Sequence, residues 1–239
     1  MTDVKHTFVN FQAGSGGEFI LSLLMLMDSP QRQLTVSDVG SCHTNRHHEK
    51  EFTAGGVHSM DIQTALNNFQ LDNQYPLYKA HVSARDIEKF CNHFIDCIVF
   101  YIVPCTRSVE QVVRNIWQKV IVQERKFYGK DRLAEEMKYA GLPVKRDPYM
   151  LTKSEFDIVY QSMWRRVRSS VQNKHNLDLP NLILIDFYDL MHSKHKVLDI
   201  ISTNTNRVVN QRADLFYDEY LSKQPTKDAI YNFREKLNG

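Results

Sequence analysis

The sequence predicts a three-layer α/β/α domain built on a mainly parallel, five-stranded sheet. Strand-like and helix-like segments alternate along the chain, which is the order of a sheet whose parallel strands are joined by crossover helices. Several strand segments are apolar at every position, as in Cys97-Ile98-Val99-Phe100-Tyr101-Ile102-Val103, and a strand with that pattern is buried on both faces. The first such segment breaks into Gly14-Ser15-Gly16-Gly17-Glu18 and resumes as the apolar Phe19-Ile20-Leu21-Ser22-Leu23-Leu24, a strand, a glycine turn and a helix in succession.

At 239 residues, with no linker-like stretch, the chain reads as one domain over positions 1–239. Hydrophobic content of 42% with 24% charged residues is ordinary for a soluble globular protein. The net charge of +2, from 30 basic and 28 acidic side chains, makes no case for nucleic acid or membrane binding, so any anion site is local. Cys42, Cys91, Cys97 and Cys105 form no CxxC pair, and three of them sit in or beside apolar segments, which fits a reducing, cytoplasmic setting. The amino terminus lacks the pattern of a signal peptide, and no apolar run approaches the ~20 residues of a membrane span.

The elements follow in order. A strand from Thr7 leads through the glycine turn to an amphipathic helix that runs to about Met27 and ends before Pro30. Gln33 to Val39 alternates like a short strand, and residues 40–60, glycine-bearing and histidine-rich, read as a long surface loop. Asp61 to Phe69 has helical spacing, and Tyr75 to Val82 is the next strand. Ser83 is placed to cap a helix over Ala84–Phe94, and the strand Cys97–Val103 stops at Pro104. A long helix starts at Ser108, a charged and partly helical insertion spans about 127–150, and another helix runs from Lys153 to about His175. Leu182 to Asp186 is the last strand, followed by helical turns to the carboxyl end, where Phe216, Tyr217 and Tyr220 read as exposed interface positions.

In a parallel sheet, ligands sit beyond the carboxyl ends of the strands. Three polar clusters fall there: Gly14, Ser15, Gly16, Gly17 and Glu18 after the first strand, Lys79 and His81 at the end of the third, and Thr106-Arg107-Ser108 after the fourth. A glycine turn at a helix start points unpaired N–H groups and the positive end of the helix dipole at one spot, which suits an anion. It departs from the nucleotide P-loop GxxxxGK[ST] because no lysine follows the glycines. The absent lysine and Mg²⁺-binding hydroxyl also argue against a nucleotide kinase. Lys79 and His81, two apart on a strand, share a face. Arg107 is suited to a forked phosphate contact. Cys42, His43, His47, His48 and His58 include the i, i+4 pair His43 and His47, which would share a face on a helix as metal ligands often do. They complete no zinc pattern, the glycines argue against a helix, and a solvated loop with no metal site assigned is the leading reading. Arg165, Arg166 and Arg168 form a basic face that could line an acidic ligand's path, and Trp117 and Trp164 lie at core spacing.

The order of these clusters resembles the sulfotransferase family, which has a P-loop-like fold of the nucleoside-triphosphate-hydrolase type and uses 3′-phosphoadenosine-5′-phosphosulfate as donor. Of the family's PKSGTTW motif, Ser15, Gly16 and the aromatic Phe19 are matched, while Gly14 stands at the lysine position and Gly17 and Glu18 at the threonines. The strand ending in KTH is matched by Lys79-Ala80-His81. The RDPRDVxxS motif is matched at Arg107 and Val109, with Pro104 at its first arginine and Val112 at its serine. Ile183 to Leu190 looks like the family's late strand and its YEDL-type continuation. The ordered pattern spans roughly residues 7 to 202.

The resemblance implies sulfuryl transfer to a hydroxyl or amine of a small molecule or glycan, with His81 as base and Lys79 beside it. Gly14 to Glu18 would hold the donor, and Arg107 its 3′-phosphate. A non-catalytic P-loop-like protein that holds a nucleotide or a partner in the same crevice is the alternative.

Overall fold

In the computed structural model, residues 6–11, 15–37, 51–54, 61–72, 76–123, 132–172 and 178–238 are described. The apolar runs assemble into one sheet of β1 (Thr7–Asn10), β2 (Glu51–Ala54), β3 (Leu77–Val82), β4 (Ile98–Val103) and β5 (Leu182–Asp186), in the order β2-β3-β1-β4-β5. Its pairings are all parallel, with Val9 opposite both Lys79 and Phe100, and Val103 opposite Asp186. β1 is thus central, flanked by the strands that carry the other two polar clusters.

Four of the expected strands are present; the one expected over Gln33–Val39 is not. Residues 33–37 lie outside any strand of the sheet, and residues 38–39 lie outside the described residues. Leu34 and Val36 are buried as alternation predicts, but Arg212 donates to the Leu34 carbonyl and Lys223 to that of Val36. Side chains occupy those two carbonyls, so the segment docks against a helix. Its place at the sheet edge is taken by Glu51–Ala54, out of the stretch expected to be loop, where Phe52 is buried among Phe69, Phe90 and Phe94.

Helices cover both faces. α1 (Gly17–Asp28), α4 (Val109–Asn115, continuing with a wider π-type winding over Ile116–Gln123), α5 (Arg132–Tyr139) and α6 (Lys153–Gln172) lie on one side. With them lie α7 (Phe187–His192), α8 (Lys194–Thr205), α9 (Gln211–Ser222) and α10 (Lys227–Glu235). The side chains of Val9, Leu77, Phe100 and Ile102 face that layer. α2 (Ile62–Asn68) and α3 (Ile87–His93) cover the other face, against Phe8, Tyr78, Ala80 and Val99.

α1 is buried around its whole circumference from Phe19 to Met27, not amphipathic, because α9 packs on the side away from the sheet. The expected interface residues are that packing: Tyr220 stacks on Phe19 at 3.8 Å, Tyr217 meets its edge at 4.8 Å, and Phe216 is buried with them. A partly buried ion pair closes the far end of α1, where the buried Arg207 grips the exposed Asp28 carboxylate through Nε and Nη2. Ser83 does not cap α3 directly. It donates to Asp86, the residue that precedes the helix.

Within the expected insertion, α5 packs against α6 through Glu136, a fully buried carboxylate flanked by Arg132 and Arg166. Arg166 also lies over the Tyr139 ring, and Arg168 over Trp164. Trp117 is fully buried, as its spacing predicts, with its edge contacts to Phe156 and Phe233.

Cys91 and Cys97 are buried, and burial pushes their thiols up to about 12 and about 11. A thiol raised above its unfolded value stays protonated when the unfolded chain ionises, so these groups lower stability as pH rises through about 8.5. In native protein at pH 8, alkylation mapped by mass spectrometry is expected to spare both cysteines and to reach the half-buried Cys105. Modification of Cys91 at the rate of Cys105 would contradict the buried packing.

Candidate functional site

The site is built at the carboxyl edge of the sheet, around the end of β1. Asn10, the last residue of that strand, is fully buried and uses its amide like an extra backbone unit. It accepts from Val82 N at 2.7 Å and donates to Val82 O at 3.1 Å, holding the end of β3 beside β1. Phe11 follows, and its backbone N–H bonds Ala80 O at 3.3 Å. Residues 12–14 are outside the described ones, so the part expected of Gly14 falls there too.

The chain then enters α1 through Ser15 and Gly16, with Ser15 fully buried. Gly16 has φ +78°, a left-handed conformation that a side chain disfavours. A β-carbon there would lie 2.8 Å from Leu190 Cδ2 and 2.8 Å from the Tyr220 hydroxyl. A β-carbon on Gly17 would lie 1.9 Å from the Phe11 ring. The glycines are therefore required by what packs on the turn. The Gly16 carbonyl takes the N–H groups of Phe19 and Ile20. The N–H groups at the start of a helix have no acceptor one turn earlier, which leaves the first turn of α1 as its electropositive end.

Lys79 and His81 lie within β3, both on the face that carries α1, since their neighbours Tyr78, Ala80 and Val82 point into the opposite core. Lys79 Nζ reaches Glu18 Oε1 at 2.7 Å, with both side chains only about a fifth exposed. This brings a cation from the neighbouring strand to the start of α1, and Glu18 meets it. Lys79 also lies 5.7 Å from the centre of the Phe11 ring.

His81 Nδ1 is 3.0 Å from the Phe11 carbonyl, and its ring meets the edge of Phe11 at 4.8 Å. A carbonyl only accepts, so Nδ1 carries the proton and the basic lone pair sits on Nε2. Phe11 thereby fills the space between the glycine turn and the Lys79–His81 pair, touching both. It was not singled out from the sequence, nor was Asn10; a polar residue inside the apolar run Thr7-Phe8-Val9-Asn10-Phe11 is the available signal for the second.

Arg107 lies in a 3₁₀ turn, Thr106–Ser108, directly after β4. Ser108 ties the turn to its own start, donating to Cys105 O at 3.0 Å and accepting from Cys105 N at 2.9 Å. The Arg107 guanidinium is exposed and stacks 4.0 Å over the ring of Tyr188 on α7. Arg85 is also exposed, and Lys79 is the cation that meets the start of α1, through Glu18.

Two of the α6 arginines, Arg166 and Arg168, are engaged away from the turn. Tyr160, in the earlier half of α6, donates to Glu110 near the start of α4. Arg166 is engaged by Glu136 and Arg168 by Trp164. The residues Cys42, His43, His47, His48 and His58 lie outside the described ones. Among the described residues there is no cluster of metal-ligating side chains, and no helix is long and apolar enough to cross a membrane.

The chain is similar in structure to a sulfotransferase from Alicyclobacillus acidocaldarius, with a TM-score of 0.41 and 12% sequence identity over 92% of this chain and 93% of that one. No protein-family model matches the sequence, and no curated protein matches it.

Two outcomes test the geometry of the site. Long-range ¹⁵N–¹H spectra at neutral pH are expected to show His81 as the Nδ1-protonated tautomer, and an Nε2-protonated ring would break the assigned bond to Phe11. Gly17→Ala forces the Phe11 ring aside and is expected to cost about 1–3 kcal/mol in chemical unfolding, with Gly17→Ala/Phe11→Leu recovering part of it.

Proposed function

We propose that this protein is sulfotransferase-like, moving a sulfuryl group from 3′-phosphoadenosine-5′-phosphosulfate to a hydroxyl or amine of a small molecule or glycan. The observation that carries the reading is the meeting of Lys79 with the first turn of α1, with His81 on the same face of β3. The turn lacks a lysine of its own, and a cation arrives there from β3.

The donor supplies a sulfuryl group on a phosphate leaving group; this chain supplies binding, charge and a base. The electropositive start of α1, over Ser15 to Glu18, suits the donor's 5′-phosphate. Arg107, with its guanidinium edge open to solvent, suits the 3′-phosphate. Lys79 opposes the negative charge that builds on the leaving oxygen, and Nε2 of His81 takes the acceptor's proton. The Phe11 carbonyl holds the imidazole in the tautomer that this step needs. Glu18 sets a limit on the arrangement, because Lys79 must exchange its carboxylate partner for the ligand's oxygen.

Adenosine 3′,5′-bisphosphate at millimolar concentration is expected to raise the melting temperature by a few degrees, as a ligand well above its dissociation constant does. His81→Asn, which keeps a side-chain donor for the Phe11 carbonyl and removes the base, is expected to lower kcat/KM by about 10²–10⁴ while the bisphosphate still binds. Absence of any thermal shift would sink the donor assignment. The Lys79–Glu18 pair also favours a second reading, a binding protein that holds the nucleotide without transferring sulfate. Stabilisation with no transfer, unaffected by His81→Asn, is what that reading expects.

A further inference from the structure

From the packing of α7 we infer that Tyr188 is a positioning residue, one that holds the Arg107 guanidinium at a set distance from the glycine turn and so makes the crevice selective for a ligand with two phosphates. The inference rests on the donor-binding reading of Arg107 given above. Three contacts carry it. The first is the stack itself, with the guanidinium carbon 4.0 Å from the centre of the Tyr188 ring. In that geometry the cation uses the ring's face, while its N–H groups point outward in the guanidinium plane, the direction from which a phosphate is gripped in a fork.

The second contact is on the other flank of the same short helix. Leu190 and Phe187 pack on the glycine turn, their Cδ2 and Cε2 atoms lying 2.8 Å and 3.4 Å from where a Gly16 β-carbon would stand. α7 therefore touches both parts of the candidate site, the turn through Phe187 and Leu190 and the arginine through Tyr188. Third, the helix is itself anchored. Asp186, paired with Val103 at the end of β5, accepts from Tyr188 N at 2.8 Å, and Tyr217 donates to the Leu190 carbonyl at 2.7 Å.

Both ends of the spacing are thus defined. The turn that carries Arg107 is closed by Ser108, and the backbone of Tyr188, whose ring it rests on, is tied to the end of β5 by Asp186. Among the described residues no carboxylate forms an ion pair with Arg107, so its partner in the fold is an aromatic face. A long arginine side chain on the surface would otherwise sample many rotamers, and ordering it on binding would weaken the second phosphate contact. Stacking on Tyr188 imposes that order beforehand.

The test is calorimetric titration of the intact protein with adenosine 3′,5′-bisphosphate and with adenosine 5′-monophosphate. The wild type is expected to prefer the bisphosphate, and Arg107→Ala to lose most of that preference. Tyr188→Leu is expected to reduce the preference about threefold to fivefold, the size of an exposed cation–π contact, and Tyr188→Phe to retain it. Arg107→Lys keeps the charge but not the planar stack, and, on an exposed side chain that leaves folding intact, is expected to behave like Tyr188→Leu. In an Arg107→Ala background, Tyr188→Leu is expected to change nothing further, which a general structural role for the tyrosine would not predict. If Arg107→Ala removes the preference while Tyr188→Leu and Arg107→Lys leave it whole, the positioning role is overturned and the donor reading stands. If the wild type binds neither nucleotide, or both equally, the assignment of Arg107 falls and the inference with it.

Discussion

The approach of Phe11, Leu190 and Tyr220 to a backbone without β-carbons is the constraint on which the rest of this structure depends. Gly16 turns the chain through a left-handed conformation that leaves room for Leu190 and Tyr220, and Gly17 lets the Phe11 ring lie against the helix start. Because those three side chains belong to the segment after β1, to α7 and to α9, one turn couples the central strand to two helices from the end of the chain. The same closeness places the Phe11 carbonyl against His81 and brings Glu18 to Lys79. A side chain at either glycine would push apart the groups that form the candidate site, so a steric requirement and a chemical one fall on the same two residues.

The electrostatics are local. The chain as a whole is nearly neutral, and several of its arginines are taken up in specific ion pairs: Arg207 with Asp28, Arg166 and Arg132 with Glu136, Arg234 with Asp157. Burying Glu136 between two arginines is costly in desolvation, and its two partners, each about a third exposed, offset part of that cost through contact with water. Lys79 is held by a carboxylate while Arg107 rests on a ring, and the difference matters for binding. An anion must compete with Glu18 for the first and only approach the second. Binding at the turn is therefore expected to be the more sensitive of the two to changes at Glu18.

The sequence by itself determined the layer order, four of the strands and the coincidence of three polar clusters at one edge. Each of those follows from composition along a short window: continuous apolar runs mark buried parallel strands, and glycines followed by an apolar helix mark the turn. Even the shared face of Lys79 and His81 needed only the period of a strand. What failed to be legible depended on partners distant in the chain. Leu34 and Val36 alternate like a strand, yet Arg212 and Lys223 take their carbonyls; Phe216, Tyr217 and Tyr220 look exposable until α1 lies against them. Only the tertiary structure could bring Lys79 to Glu18, give His81 its tautomer through Phe11, and set Arg107 on Tyr188. Those contacts join residues from 61 to 81 positions apart, or strands adjacent only in the sheet, and no local pattern carries information over such a separation.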